Sequence, residues 1–153
     1  MEFNAELIEH MSNPKNYGSI ENADSIGIGE NPQNGEKVIV YINVDNNKIS
    51  DIAFEAIACM TTVVAGSIIT QEARDITLEK CDELVAVTLG MLENVPPAEA
   101  ACSEMVALAI KAAVDGYIDS KNSGEKKTYI YKIEQSCLPE NEFKGVNNET
   151  STN

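Results

Sequence analysis

Between Lys37 and Val44, apolar and polar residues alternate, and Val38, Val40, Ile42 and Val44 share one face. That period of two predicts a half-buried strand. Asp45-Asn46-Asn47-Lys48 predicts a turn, because Asn and Asp tolerate left-handed backbone and bond their own main chain. Ile49 to Ile57 returns as a second strand with Ile52, Phe54 and Ala56 on one face, completing a β-hairpin. A helical period follows over Thr61 to Arg74. Its expected buried side is Val64, Ala65, Ile68 and Ile69, and its expected N-cap is Thr61 or Thr62. Leu78, Cys81, Val85, Thr88 and Leu92 mark another helix, capped by Thr77 and ended by Gly90 and Pro96-Pro97. The clearest helix runs from about Cys102 to Tyr117. Val106, Ile110, Val114 and Tyr117 form its stripe, with Leu108 and Ala112 beside it.

Weaker patterns flank these elements. Ala5 to Met11 predicts a short helix with Leu7, Ile8 and Met11 on one side, ending at Asn13-Pro14. Asn16 to Gly35 is rich in Gly, Asn and Pro and is expected to be loop, with a short edge strand around Ser25 to Gly29. Lys121 to Lys127 is a polar linker, and Thr128 to Ile133 an extra strand. From Asn141 the chain is polar, Asn-rich and expected to be disordered. The expected organisation is one domain over residues 1–120 and a partly disordered extension over residues 121–153.

Charge narrows the partners. Asp and Glu outnumber Lys and Arg by 25 to 11, a formal charge of -14. That field repels nucleic acid and anionic membrane surfaces and attracts a basic protein partner. No apolar run approaches a membrane span, and the first residues form neither a secretory signal nor an Arg-rich transit peptide. A cytoplasmic setting with reduced thiols is expected. The four cysteines, Cys59, Cys81, Cys102 and Cys137, are scattered without a C-x-x-C, which argues against a zinc knuckle or a disulfide framework.

Two of those cysteines stand in informative places. Cys59 lies between a strand and a helix, where the helix dipole favours thiolate, the form that binds metal. A small buried hydrophobe at a strand end is the plainer alternative. Cys102 opens the longest helix; the alternative is a thiol packed under the Pro-Pro turn. Cys81 falls on an apolar stripe and is expected in the core. Cys137 lies in a polar tail, as an exposed thiol or as one that folds back to donate. His10, the single histidine, is assigned a surface or packing role. No Gly-rich phosphate cradle, Ser/His/Asp set or basic aromatic patch is present in the sequence.

The order hairpin, Cys59, two helices, Pro-Pro, Cys102, helix resembles the iron–sulfur cluster assembly scaffold family, the IscU type and the N-terminal domain of NifU. The opening Glu9-His10-Met11-Ser12-Asn13-Pro14-Lys15-Asn16-Tyr17-Gly18 and the loop Asn31-Pro32-Gln33-Asn34-Gly35-Glu36 carry the resemblance further, over roughly residues 5–118. It implies an α+β fold, a small antiparallel sheet with helices packed on one face. It implies Cys59 and Cys102 as cluster ligands and persulfide acceptors. Asn34 stands where the family has a cysteine, and Glu36 where it has an aspartate. Glu99 and Ala101 replace its usual lysine and histidine, a change at the segment its chaperone recognises. An amide oxygen is a hard donor and clusters are held by soft thiolates, so Asn34 weakens the site; Asn before Gly is also ordinary turn chemistry. The ligand set to test is Cys59, Cys102, Glu36 and Asn34, holding a transient [2Fe-2S] cluster or a single zinc or iron ion. The implied partners are a cysteine desulfurase, apo-acceptor proteins and, for a bridged cluster, a second chain in a homodimer. The alternatives to a scaffold are a paralogue relaying persulfide sulfur or modulating a desulfurase, and a mononuclear metal module.

Overall fold

Helices and strands follow the period changes of the sequence closely. The computed structural model describes residues 5–133 apart from Pro96. In chain order these are α1 (Ala5–Ser12), β1 (Ser25–Glu30), β2 (Lys37–Asp45), β3 (Lys48–Ile57), α2 (Met60–Ala73), α3 (Leu78–Met91), a 3-10 turn (Leu92–Asn94), α4 (Pro97–Ser123) and β4 (Tyr129–Lys132). The α+β expectation stands. The sheet has the order β3-β2-β1-β4. Its first three strands are antiparallel, as expected, but β4 pairs parallel to β1 and makes the whole sheet mixed.

The predicted hairpin is β2–β3, from Lys37↔Ile57 to Asp45↔Lys48. Asn46 and Asn47 take φ of 54° and 63°, the left-handed pair that a two-residue hairpin turn requires. Val38, Val40, Ile42, Ile49, Ile52 and Phe54 are fully buried on its inner face.

β1 departs from expectation. It is interior, because β4 covers the side that the sequence left as an edge. Its inward residues are Ser25, Gly27 and Gly29, too small to show as an apolar stripe. They let α4 lie directly on the strand. A Cβ at Gly27 would sit 2.2 Å from the Ala113 nitrogen, and one at Gly29 2.1 Å from the Met105 carbonyl oxygen. α4 is buried almost all round over Ala100–Val114, as a helix enclosed between a sheet and other helices must be apolar on every side.

α2 corrects the sequence reading more sharply. Its buried residues are Thr62, Gly66, Ser67, Thr70 and Ala73, while Ile68 is exposed and Val64, Ala65 and Ile69 are half-buried. The inward face is small and polar because Phe54 fills the space at Gly66 and a hydrogen-bonded segment meets the rest. His10 Nδ1 lies 2.6 Å from Ser67 Oγ, which also accepts from the Lys15 N–H at 2.7 Å. Asn16 Nδ2 donates to Thr70 Oγ1 at 3.0 Å, and Arg74 donates to Asn16 Oδ1 at 2.7 Å. Among the described side chains of α1, His10 is buried, in a packing role, while Ile8 and Met11, expected on its apolar side, are exposed. The Asn13–Gly18 loop lies along the outer edge of β3, with the Asn16 carbonyl accepting from the Phe54 N–H and the Gly18 N–H donating to the Phe54 carbonyl. The Phe54 backbone groups are thereby withdrawn from pairing with another chain.

Beyond residue 120 the chain stays attached. The first residues of the expected linker, 121–123, extend α4. Tyr131 on β4 donates to Asp115 of α4 at 2.6 Å. The Ile133 N–H donates to the Glu30 carbonyl at 2.9 Å, and Ile133 is buried in the common core. Asn141 onward and Cys137 lie outside the described residues, as does the side chain of Glu99.

Candidate functional site

Cys59 and Cys102 meet. Their sulfurs are 3.9 Å apart, and no disulfide joins them. They arrive on different elements. Cys59 follows the end of β3 and is itself the N-cap residue of α2, with φ -83° and ψ 173°. The expected Thr61 or Thr62 cap is thus displaced to the first helical turn. The sulfur makes no capping hydrogen bond, and Thr62 Oγ1 lies 3.8 Å from it. Cys102 is the sixth residue of α4 rather than its first, because Pro97 begins the helix, a position that suits proline's fixed φ and missing N–H. Its place owes less to a helix end than the sequence suggested and more to α4 being clamped on β1.

The two thiols differ in access. Cys59 is exposed and Cys102 is only 7% exposed. Partial burial alone would push the Cys59 thiol up. The Thr62 N–H and hydroxyl, the Thr61 N–H and the Cys102 thiol outweigh that burial and bring it below the ordinary cysteine value. Thr61 and Thr62 are therefore functional neighbours that the sequence reading placed only as caps. The signal available was their position directly after Cys59-Met60 at a helix start. Cys81 is fully buried, and burial, with the Asp82 charge second, pushes its thiol up to about 12. It is the core residue expected, closed to metal and oxidant.

The Asn31–Glu36 loop forms the third side. β1 leads into it and β2 leads out, so it stands at the same end of the sheet as the end of β3. The loop is held by its own amides. The Asn31 N–H donates to the Glu36 carbonyl at 2.8 Å, and Asn31 Oδ1 accepts from the Gln33 N–H at 2.9 Å. Asn34 Oδ1 accepts from the Glu36 N–H at 2.9 Å, and Gly35 takes φ 80°. Asn34 thus serves the turn, with its oxygen engaged by backbone. Among the described residues no group of three His, Cys, Asp or Glu side chains is gathered for a metal ion, so Glu36 does not complete a set with the thiol pair.

Apolar surface borders the site. Ile57 and Met60, flanking Cys59, are 60% and 58% exposed. A groove of about 280 Å³ between α2 and α3 is lined by Ile68, Ile69, Leu84, Met91 and Leu92 and reaches Ser103, next to Cys102. Among the described residues no helix is long and apolar enough to cross a membrane.

Known proteins resemble this chain in sequence and in fold. The chain is 31% identical over 128 residues to iron-sulfur cluster assembly scaffold protein IscU 1 of Archaeoglobus fulgidus, covering 81% of this chain and 82% of that one. It is 31% identical over 121 residues to the scaffold protein IscU of Haemophilus influenzae, covering 76% and 96%. Its fold matches the crystal structure of an iron-sulfur cluster assembly scaffold protein for the SUF system from Fervidobacterium islandicum, with TM-score 0.60 and 19% identity over 73% of this chain and 96% of that one. It also matches the N-terminal NifU-like protein of Brucella abortus, with TM-score 0.59 and 17% identity over 78% and 94%. The model of the NifU-like N terminal domain spans residues 2–124, and with the relatives above it places this chain in the IscU/NifU N-terminal family.

Proposed function

We propose that this protein is an iron–sulfur cluster assembly scaffold in which Cys59 and Cys102 hold the cargo. The observation that carries the reading is the separation of the two sulfurs. Two thiolates about 2.3 Å from one tetrahedral ion stand ~3.8 Å apart, and these stand 3.9 Å apart without adjustment. The pair is therefore shaped to clasp one iron. Cys59 is exposed enough to meet a sulfur donor, and its lowered thiol supports nucleophilic thiolate. A cysteine desulfurase would present a persulfide. The Cys59 thiolate attacks its outer sulfur, forms Cys59–S–SH and releases the desulfurase thiolate. The apolar rim of Ile57, Met60 and the α2–α3 groove gives such a partner, and later an acceptor apoprotein, a surface to dock on. The role is binding and transfer rather than catalysis, in the reducing cytoplasm, and the cargo is a [2Fe-2S] cluster.

The capped Asn34 turn supports a second reading, in which the two thiols hold a single zinc or iron ion or relay persulfide sulfur without building a cluster. Anaerobic reconstitution with ferrous iron, cysteine and a desulfurase separates them. A scaffold gains a brown chromophore with matched iron and sulfide, lost in Cys59→Ser and in Cys102→Ser. A relay gains the mass of sulfur on a cysteine without iron. A mononuclear site is filled by one metal ion and no sulfide. An unchanged chromophore in both serine variants would sink the assignment of the pair.

A further inference from the structure

A sulfur handed over as a persulfide is still two electrons short of sulfide. Among the described residues, the sulfur beside Cys59 is Cys102 Sγ at 3.9 Å, while Cys81 is fully buried in the core. Once Cys59 carries a second sulfur, Cys102 stands against the inner atom, Cys59 Sγ, and the outer atom lies one further bond of about 2.05 Å away. Displacement at sulfur runs in line, with the entering and leaving atoms on opposite sides of the one attacked. Exposure sets that line. Cys102 is 7% exposed and lies on the core side, whereas Cys59 is exposed and receives its sulfur from the solvent side. The entering thiol, the attacked sulfur and the leaving sulfur thus succeed one another from core to solvent. Closing 3.9 Å to a disulfide bond of about 2.05 Å asks one side chain to turn. Cys59 can do so without loss to α2, because its sulfur makes no capping hydrogen bond.

We propose a second activity at this site: in the metal-free chain, the Cys59–Cys102 pair itself reduces the delivered sulfur and releases it as sulfide. Cys102 Sγ attacks Cys59 Sγ of the Cys59–S–SH persulfide. A bond forms between the two cysteine sulfurs, and the bond from Cys59 Sγ to the outer sulfur breaks. The outer sulfur takes the electron pair of that bond and the Cys102 proton and departs as hydrogen sulfide. Cys59–S–SH and Cys102–SH thereby become Cys59–S–S–Cys102 and hydrogen sulfide. Over acceptance and discharge the two thiols give up two electrons, which the sulfur gains. An external dithiol reductant then returns the pair to two thiols and is itself oxidised to a disulfide. The inference rests on Cys59 being the persulfide acceptor of the proposed function. A metal ion clasped by both sulfurs holds the attacking thiol and stops the discharge.

A single turnover without iron tests this. The full chain, reduced, stripped of metal by a chelator and desalted, is mixed anaerobically with a cysteine desulfurase that already carries its persulfide and has been freed of cysteine and reductant. Sulfide release is followed in time, and the chain is then mapped by mass spectrometry. The wild type should release roughly one sulfide per persulfide accepted, lose the mass of two hydrogens and yield a peptide pair joined through Cys59 and Cys102. Cys102→Ser should keep the sulfur on Cys59 and release sulfide at least about tenfold more slowly, because a neighbouring thiol outruns any thiol arriving from solution. The disulfide map is read on the wild type and does not depend on how well the variant folds. Sulfur that stays on Cys59 of the wild type as long as on Cys102→Ser would overturn the proposal and leave the scaffold reading standing. So would a disulfide from Cys59 to any cysteine other than Cys102. A wild type that neither takes up sulfur on Cys59 nor releases sulfide would remove the acceptor role of Cys59, and this inference with it.

Discussion

Where α4 crosses β1 the contact is backbone on backbone, over Gly27 and Gly29; where α2 crosses β3 it runs through the ring of Phe54 and the hydrogen bond from Arg74 to the Ile52 carbonyl, with Ser67 and Thr70 accepting from the Lys15 N–H and the Asn16 amide of the loop beside the strand. The first contact leaves no freedom, because peptide groups have no rotamers to change. The second is made of side chains that can shift and of polar pairs that water can replace. Each contact carries one of the two thiols, Cys102 on α4 and Cys59 at the head of α2. The 3.9 Å between the sulfurs is therefore the joint product of a rigid seat and an adjustable one. Any change in the site with loading should come from the α2 side.

The largest effect should follow from disturbing the rigid seat. Gly29→Val places carbon where the Met105 carbonyl already stands, 2.1 Å from the ideal Cβ. A fixed backbone atom has to be displaced, and the loss should be at least about 3 kcal/mol. Urea unfolding measures it, and a loss under 1 kcal/mol would mean that α4 is not held on the strand in this way. The same insertion on the other side should cost less. A Cβ at Gly66 meets the Phe54 ring at 2.4 Å, and a ring can rotate or retreat. Gly66→Ala is expected to cost about 2 kcal/mol, within the overpacking range. Most of that should be recovered by adding Phe54→Leu, so that the double-mutant cycle shows coupling.

Ser67→Ala comes next. It leaves the Lys15 N–H and the buried His10 ring without their shared hydroxyl, at a cost of about 1–2 kcal/mol. Hydrogen exchange should show α1 and the Asn13–Gly18 loop opening first, while amides in α4 keep the protection of global unfolding. Uniform loss of protection across both helices would erase the distinction between the two contacts.

The same distinction explains what could be read from the chain. The hairpin was legible because its burial alternates with period two and its turn carries Asn-Asn at positive φ. α3 was legible from Thr77, whose side chain accepts from the Lys80 N–H, and from its Leu78-Cys81-Val85 stripe. β1 was mistaken for an edge because a strand crossed by a helix backbone needs glycine, and glycine leaves no hydrophobic signal. α2 was read with the wrong face inward because an amphipathic pattern assumes that the apolar side is buried. Here the apolar residues face a groove, and the inward side is hydrogen-bonded. Of the site, Cys59 and Cys102 were legible from their places beside predicted elements. The engaged Asn34 oxygen, the nearness of Thr62 to the Cys59 sulfur and the pairing of β4 with β1 depend on three-dimensional closeness that no spacing in the chain records.

Cys59 itself gives the smallest stability effect and the sharpest test of purpose. It occupies an N-cap and makes no capping hydrogen bond, whereas serine is among the strongest N-cap residues. Cys59→Ser should therefore leave stability unchanged or raise it by about 0.5 kcal/mol, while it abolishes metal loading. The thiol gives a matching pH signature. Its folded value lies below the ordinary one, so the thiolate it stabilises is fully present above the unfolded value of about 8.5 and is lost as pH falls through the folded value. Alkylation of Cys59 should accordingly reach half its maximal rate at a lower pH in the native protein than in the unfolded chain. Cys81 behaves in the opposite sense. Its neutral thiol is favoured by burial, so native protein should leave it unalkylated, and stability should decline between about pH 8.5 and the raised value as the unfolded chain ionises first. Replacing Cys81 with alanine should flatten that alkaline decline and leave the Cys59 profile where it was. A Cys59 profile centred at or above the ordinary value would mean that the helix start gives the thiol no advantage over any exposed cysteine, and that the better-capping serine would serve the fold as well.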